Sequence, residues 1–219
     1  MDAIWEALHT TRDWGKYPAE DLIRTVMRAY KHLDRSQLSV LEIGCGAGAN
    51  LSFFINEGFQ VAGIDGAPSA IKTAKSRLCS LYSGGPELDL RVGNFKQLPW
   101  DDQSFDVLVD YMAVYANTYS TIQATINEVF RVLKPQGHFY SRSWGMGTEG
   151  SSDGEELEPG TFKNPLSGPC ADMGISHFFT LKELEELFCD FSNVRIQRTI
   201  TETVGSRESV FEWSVWAEK

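Results

Sequence analysis

Apolar residues along the chain alternate between short continuous runs and stripes at helical spacing. Residues 40–43 are a beta-type run that enters a turn built on Gly44, Gly46 and Gly48. Leu51, Phe54 and Ile55 then recur as one helical face, with Gly58 placed to end the helix. Residues 60–65 read as a second strand. Pro68 opens a helix carrying Ile71, Ala74, Leu78 and Leu81 on one side, and residues 88–95 and 104–112 predict a third and a fourth strand. Ile122, Ile126, Val129 and Leu133 form another stripe, ended by Pro135 and Gly137, before a fifth strand at 138–144. Thr180 and Glu183 make a capping box for a helix bearing Leu181, Leu184 and Phe188. Two last strands, 193–203 and 209–219, are joined by a turn containing Gly205 that is too short for a crossover, so they must be antiparallel. Ahead of all this, residues 19–33 predict an amphipathic helix with Leu22, Val26, Ala29, Tyr30 and Leu33 inward.

Strands alternating with helices call for an α/β fold: a doubly wound, Rossmann-like, seven-stranded and mostly parallel sheet ending in an antiparallel hairpin. Residues 1–219 are expected to form a single domain, with 1–35 as a helical N-terminal segment. Residues 145–176 are rich in Gly, Ser, Pro and acid and follow the carboxyl end of a strand. Open sheets bind ligands at that edge, so this stretch is expected to be an active-site insertion.

Composition narrows the partners. Thirty acidic against twenty basic residues give a net charge of -10, which disfavours nucleic acid and anionic membranes and points to a small-molecule substrate. The first residues lack the basic and apolar regions of a signal peptide, and no apolar run reaches bilayer length, so the cytoplasm is the expected location. Cys45, Cys79, Cys170 and Cys189 form no CxxC pair, and no carboxylate or histidine cluster has ligand spacing, so no metal is expected. A monomer or homodimer is expected.

The glycine turn alone admits two ligands. Bare backbone at a helix start suits an anion or a closely approaching nucleoside, and Gly44, Gly46 and Ala49 with Asp65 satisfy the loose dinucleotide fingerprint of an NAD(P)-dependent oxidoreductase. Glu42 opposes a diphosphate but suits an ammonium and a cationic sulfur, and the terminal hairpin is foreign to the dinucleotide fold.

In order and spacing, residues 40–50 (VLEIGCGAGAN), 63–71 (GIDGAPSAI), 92–110 (VGNFKQLPWDDQSFDVLVD) and 127–144 (NEVFRVLKPQGHFYSRSW) resemble the successive motifs of class I S-adenosylmethionine-dependent methyltransferases of the small-molecule branch. The resemblance covers roughly residues 38 to 144 and is specific for the cofactor fold, not for the substrate. It implies S-adenosyl-L-methionine as cofactor and S-adenosyl-L-homocysteine as product. Gly44, Cys45, Gly46 and Gly48 would meet the methionine part beside Glu42, and Asp65 would accept from the ribose hydroxyls. Gly66 and Ala67 would border the adenine. Asn94 stands where the family usually has Asp, and Phe95 would contact the ring. Asp110 and Tyr111 would line the path to the transferred methyl. A methyltransferase-like binding protein without turnover is the further alternative.

Methyl transfer needs alignment more than a catalytic group, and a base only when the acceptor loses a proton. His177, between the insertion and the capping-box helix, is the candidate base, against a structural role. Arg142 is a candidate clamp for an anionic acceptor, against a salt bridge with the acidic insertion. Arg12, Trp14 and Tyr17 are candidate substrate contacts on a lid, which the family commonly forms at this place, against simple packing on the core. Tyr111 and Tyr115 point either into the acceptor pocket or into the core.

Overall fold

The computed structural model describes residues 4–82, 88–205 and 209–219. Its strands are β1 (Ser39–Ile43), β2 (Gln60–Asp65), β3 (Asp89–Val92), β4 (Phe105–Tyr111), β5 (Leu133–Trp144), β6 (Glu155–Glu158), β7 (Thr161–Lys163), β8 (Ile175–His177), β9 (Ser192–Glu202) and β10 (Ser209–Glu218). Its helices are α1 (Ile4–Thr11), α2 (Glu20–Tyr30), α3 (Ala49–Asn56), α4 (Pro68–Leu81), α5 (Tyr119–Val132) and α6 (Leu181–Leu187).

Seven strands form one sheet in the order β3-β2-β1-β4-β5-β10-β9. The first five are parallel, and β10 runs antiparallel to both β5 and β9, as the tight connection required. Side chains alternate across the sheet because the pleat has a period of two. Val40, Val61, Val107 and Val109 pack under α2, α3 and α4, against Leu22, Val26, Leu51, Phe54 and Leu78. Leu41, Ile43, Ile64 and Leu108 face the other way, onto Ile122, Ile126 and Val129 of α5. Each such side chain contributes about 1.5–3 kcal/mol when taken out of water. The order reverses between β1 and β4, which opens a crevice at their carboxyl ends.

Some expectations shift. The helix at 19–33 stops at Tyr30, leaving Leu33 exposed beyond it, and Ala29 faces outward within the helix; Leu81 is exposed at the end of α4. Leu133 starts β5 instead of continuing α5, because Pro135 cannot donate a helical hydrogen bond. The insertion is a second sheet, in the order β6-β7-β8, antiparallel throughout. Its Gly, Ser and acid content supplies turns: Gly150 and Gly168 take φ of +85° and +71°, and a Cβ on either would meet carbonyl oxygen at 2.2 and 2.0 Å. Part of the β9–β10 turn, residues 206–208, lies outside the described residues.

Candidate functional site

At the end of β1 the chain must turn sharply to enter α3. Gly44, Gly46 and Gly48 do this at φ of +67°, +50° and +79°, a region that costs residues with a Cβ. Gly44 N and Cys45 N both donate to the Ile64 carbonyl, at 2.8 and 3.2 Å, tying the turn to β2. A Cβ on Gly44 would lie 2.1 Å from the Ala113 Cβ, so the glycine also lets the β4–α5 loop close in.

Asp65, at the end of β2, is 6% exposed and organises the turn. Its Oδ2 accepts from Gly46 N at 3.0 Å and its Oδ1 from Ala67 N at 2.9 Å. Burial raises its pKa, and these donors oppose the rise. Glu42 is 2% exposed; Oε1 accepts from Asn50 Nδ2 at 2.7 Å, and Oε2 is buried with no partner. Burial pushes its carboxyl up to about 8. An unpartnered buried carboxylate oxygen is costly, and a cationic ligand group is its natural complement.

The N-terminal segment closes over these groups. Glu6 of α1 accepts from Ser69 N and Oγ at the start of α4, at 3.1 and 2.9 Å. Arg77 donates to the Gly15 carbonyl at 3.1 Å, and Ala19 N donates to Asn50 Oδ1 at 3.0 Å. His9 lies 4.7 Å from the Trp14 ring, and the indole Nε1 of Trp14 is buried without a partner. Between this segment, the glycine turn and the β4–α5 loop lies a cavity of about 500 Å³. That is within the range of roughly 300–1,000 Å³ usual for small-molecule sites.

A family model described as a methyltransferase domain matches residues 34–174. The chain belongs to that family. A phthiotriol/phenolphthiotriol dimycocerosates methyltransferase of Mycobacterium ulcerans is 31% identical over 123 residues, 55% of this chain and 43% of the relative. Its counterpart from Mycobacterium tuberculosis is 32% identical over 114 residues, 51% and 40% respectively. These alignments therefore span less than half of each relative. Among solved structures, a SAM-dependent methyltransferase of Methanosarcina mazei is similar at a TM-score of 0.69 and 26% identity, over 88% of this chain and 96% of that one. The 1,6-didemethyltoxoflavin-N1-methyltransferase of Burkholderia thailandensis shares the fold at a TM-score of 0.68 and 18% identity, over 99% and 88%.

The Methanosarcina mazei neighbour is SAM-dependent, and the residues of the cavity here fit S-adenosylmethionine. The unpartnered Glu42 oxygen suits the ammonium, each Asp65 oxygen keeps a lone pair for a ribose hydroxyl, and a Cβ on Gly46 would meet only the His9 ring, at 3.5 Å. The nicotinamide alternative gives way to the family match.

The cavity gathers Glu42, Gly44, Cys45, Gly46, Asp65, Phe95, Tyr111, Trp14 and Tyr17 from the expected set. The others stand elsewhere. Gly48 packs toward Ala74 and Leu78. Gly66 and Ala67 lie just past Asp65 without lining the cavity. Asn94 is exposed, its Oδ1 accepting from Lys96 N at 3.0 Å within its own turn. Asp110 is sealed in: Oδ1 accepts from Ala113 N and Val114 N, both at 3.0 Å, and Oδ2 from Ser141 Oγ at 2.7 Å. Burial pushes it up to about 6, and it shapes the β4–α5 loop from behind.

Four corrections concern the candidate substrate and catalytic groups. Arg12 is exposed and lines no part of the cavity. Tyr115 is buried outside it, 6.2 Å from the Trp144 ring and with its hydroxyl 3.9 Å from the Met173 sulfur. His177 has no exposure; its Nδ1 meets Thr161 Oγ1 at 2.7 Å, and burial lowers its pKa. Arg142 is neither a clamp nor paired with the insertion: it bridges Asp21 of α2 and Glu212 of β10, the latter at 2.7 Å. No residue of 145–176 lines the cavity; the insertion packs behind the β4–α5 loop, with the Met173 sulfur 3.9 Å from the Tyr115 hydroxyl and Glu158 Oε1 accepting from Tyr119 N at 2.6 Å.

The sequence reading missed Trp5, His9, Asn50, Met112, Ala113, Ala116 and Asn117 as lining residues. Trp5 and His9, four apart on α1, carried a usable signal. Met112 carried none, although its φ of +57° is strained for a side-chain-bearing residue.

Replacing Arg142 with methionine is expected to lower stability by about 3 kcal/mol, because Asp21 and Glu212 lose their cation. A melting point lower by about 6–12 °C, with S-adenosylhomocysteine affinity per folded molecule unchanged, is the result expected by calorimetry.

Proposed function

We propose that this methyltransferase transfers the methyl group of S-adenosylmethionine to an oxygen or nitrogen of a small molecule bound in the same cavity. One observation carries the reading: a buried carboxylate oxygen without a partner opens beside Asp65 into a cavity that continues to the β4–α5 loop. When bound, the cofactor supplies a sulfonium-activated methyl group open to in-line displacement. The chain's part is to hold and to exclude water. Glu42 faces the ammonium, Asp65 fixes the ribose, and Trp5, Trp14 and α1 cover the reacting groups. Tyr111, which lines the cavity, has its hydroxyl 3.3 Å from Asp21 Oδ1 and pushed up to about 12 by burial, so it acts as a neutral phenol.

The names of similar proteins support a small acceptor, since they specify phthiotriol and phenolphthiotriol dimycocerosates and 1,6-didemethyltoxoflavin. The net charge of -10 speaks against nucleic acid. Among the described residues no helix is long and apolar enough to cross a membrane. A cytoplasmic location and a monomeric or homodimeric state are part of the proposal.

Titration with S-adenosylmethionine, S-adenosylhomocysteine and NADH tests the cofactor, and transfer of labelled methyl to a panel of phenols, amines and heterocycles tests the activity. Binding of NADH alone would sink the proposal. His177→Ala is expected to lower the melting point while leaving transfer per folded molecule within about twofold, since the imidazole lies outside the cavity.

A further inference from the structure

The wall of the cavity is one-sided in charge. Glu42 and Asp65 line it, and among the described residues no lysine or arginine does. Arg142 is locked between Asp21 and Glu212, Arg77 holds the Gly15 carbonyl, and Arg12 and Lys16 are exposed outside the lining. His9 is the one imidazole among the lining residues, and its burial favours the neutral form. The lining also includes the rings of Trp5, Trp14, Tyr17, Phe95 and Tyr111 and the Met112 side chain, among small residues and the amides Asn50 and Asn117.

An anionic acceptor entering here would lose water and gain no opposite charge from the wall. Desolvating an unpaired charge is among the costliest events in binding. The charges of S-adenosylmethionine sum to a single positive one, so two ionised wall carboxylates leave the loaded cavity negative. A flat or apolar body gains from the aromatic walls, and a cationic one gains further from ring faces.

Building on the methyl-transfer reading, we infer that the acceptor is an uncharged or cationic molecule with an apolar, planar body, and that carboxylate- or phosphate-bearing acceptors are rejected by the wall. Selection of this kind works by an unpaired charge set against the wrong ligand as much as by contacts to the right one.

The test uses the full chain saturated with S-adenosylhomocysteine and three probes sharing a phenol ring: 4-methylphenol, tyramine and 4-hydroxybenzoate. Ligand-observed NMR titration should find the first two bound at least about tenfold more tightly than the benzoate. Equal or tighter binding of the benzoate, or no binding by any probe, overturns the inference. Asn117→Lys, which adds a cation to the wall, should raise benzoate affinity by about tenfold. If the benzoate stays excluded from that folded variant, the rejection is steric and the charge argument fails. Calorimetry keeps the two levels apart: a chain that does not bind S-adenosylhomocysteine refutes the cofactor reading and takes this inference with it, whereas normal cofactor binding with benzoate preference refutes the inference alone.

Discussion

Replacing Asp65 with alanine is expected to weaken S-adenosylhomocysteine binding about a hundredfold, the effect of removing roughly 3 kcal/mol of charge-assisted hydrogen bonding. The loss has two sources. Asp65 offers its remaining lone pairs to the ligand, and it also holds Gly46 N and Ala67 N, so the turn that receives the cofactor loses its anchor. Asp65→Asn separates them: its amide oxygen keeps one acceptor, and its loss should fall between wild type and alanine. Calorimetric titration at matched folded fraction gives the values. An alanine variant within about threefold of wild type would remove Asp65 from the site.

Cofactor binding is expected to expel close to one proton near neutral pH. In the free chain the Glu42 carboxyl is pushed up to about 8 by burial, so it is mostly protonated at pH 7. An ammonium beside it favours the ionised form, so binding lowers the pKa and releases the proton. Affinity should therefore rise with pH, up to about tenfold per unit below pH 8, and level off above it. For stability the sign is opposite. The folded pKa lies above the unfolded one, so this group's contribution is intact in acid and is lost as pH rises from the ordinary carboxylate range towards about 8. Titrations in buffers of different ionisation enthalpy count the proton. Glu42→Gln should abolish both the release and the pH slope; a slope that persists in that variant assigns the proton to another group.

The central strands β1, β2 and β4 were legible because they are buried along nearly their whole length and so read as apolar runs, and the terminal hairpin because residues 193–219 leave no length for a crossover. Helix ends were less legible: Leu33 continues the stripe of α2 in sequence, but the helix ends at Tyr30 and Leu33 stays exposed. In the site, the glycines, Glu42 and Asp65 could be read because their spacing meets one local demand of turn and ligand. Arg142, His177 and Tyr115 could not. Each sits beside the crevice in sequence order, yet its direction is set by long-range partners, respectively Asp21 with Glu212, Thr161, and the Trp144 and Met173 contacts. The insertion was misplaced for the same reason. Nothing local says that β8 ties to the back of the β4–α5 loop instead of to its cavity side.

The cover of the cavity has a kinetic meaning. α1 is only eight residues long, shorter than a helix that persists alone in water, so it owes its form to docking through Glu6 on Ser69 and to the aromatic contact of His9 with Trp14. If undocking and melting are one event, mild denaturant is expected to speed S-adenosylhomocysteine release well below the concentration that unfolds the sheet, which stopped-flow displacement would measure.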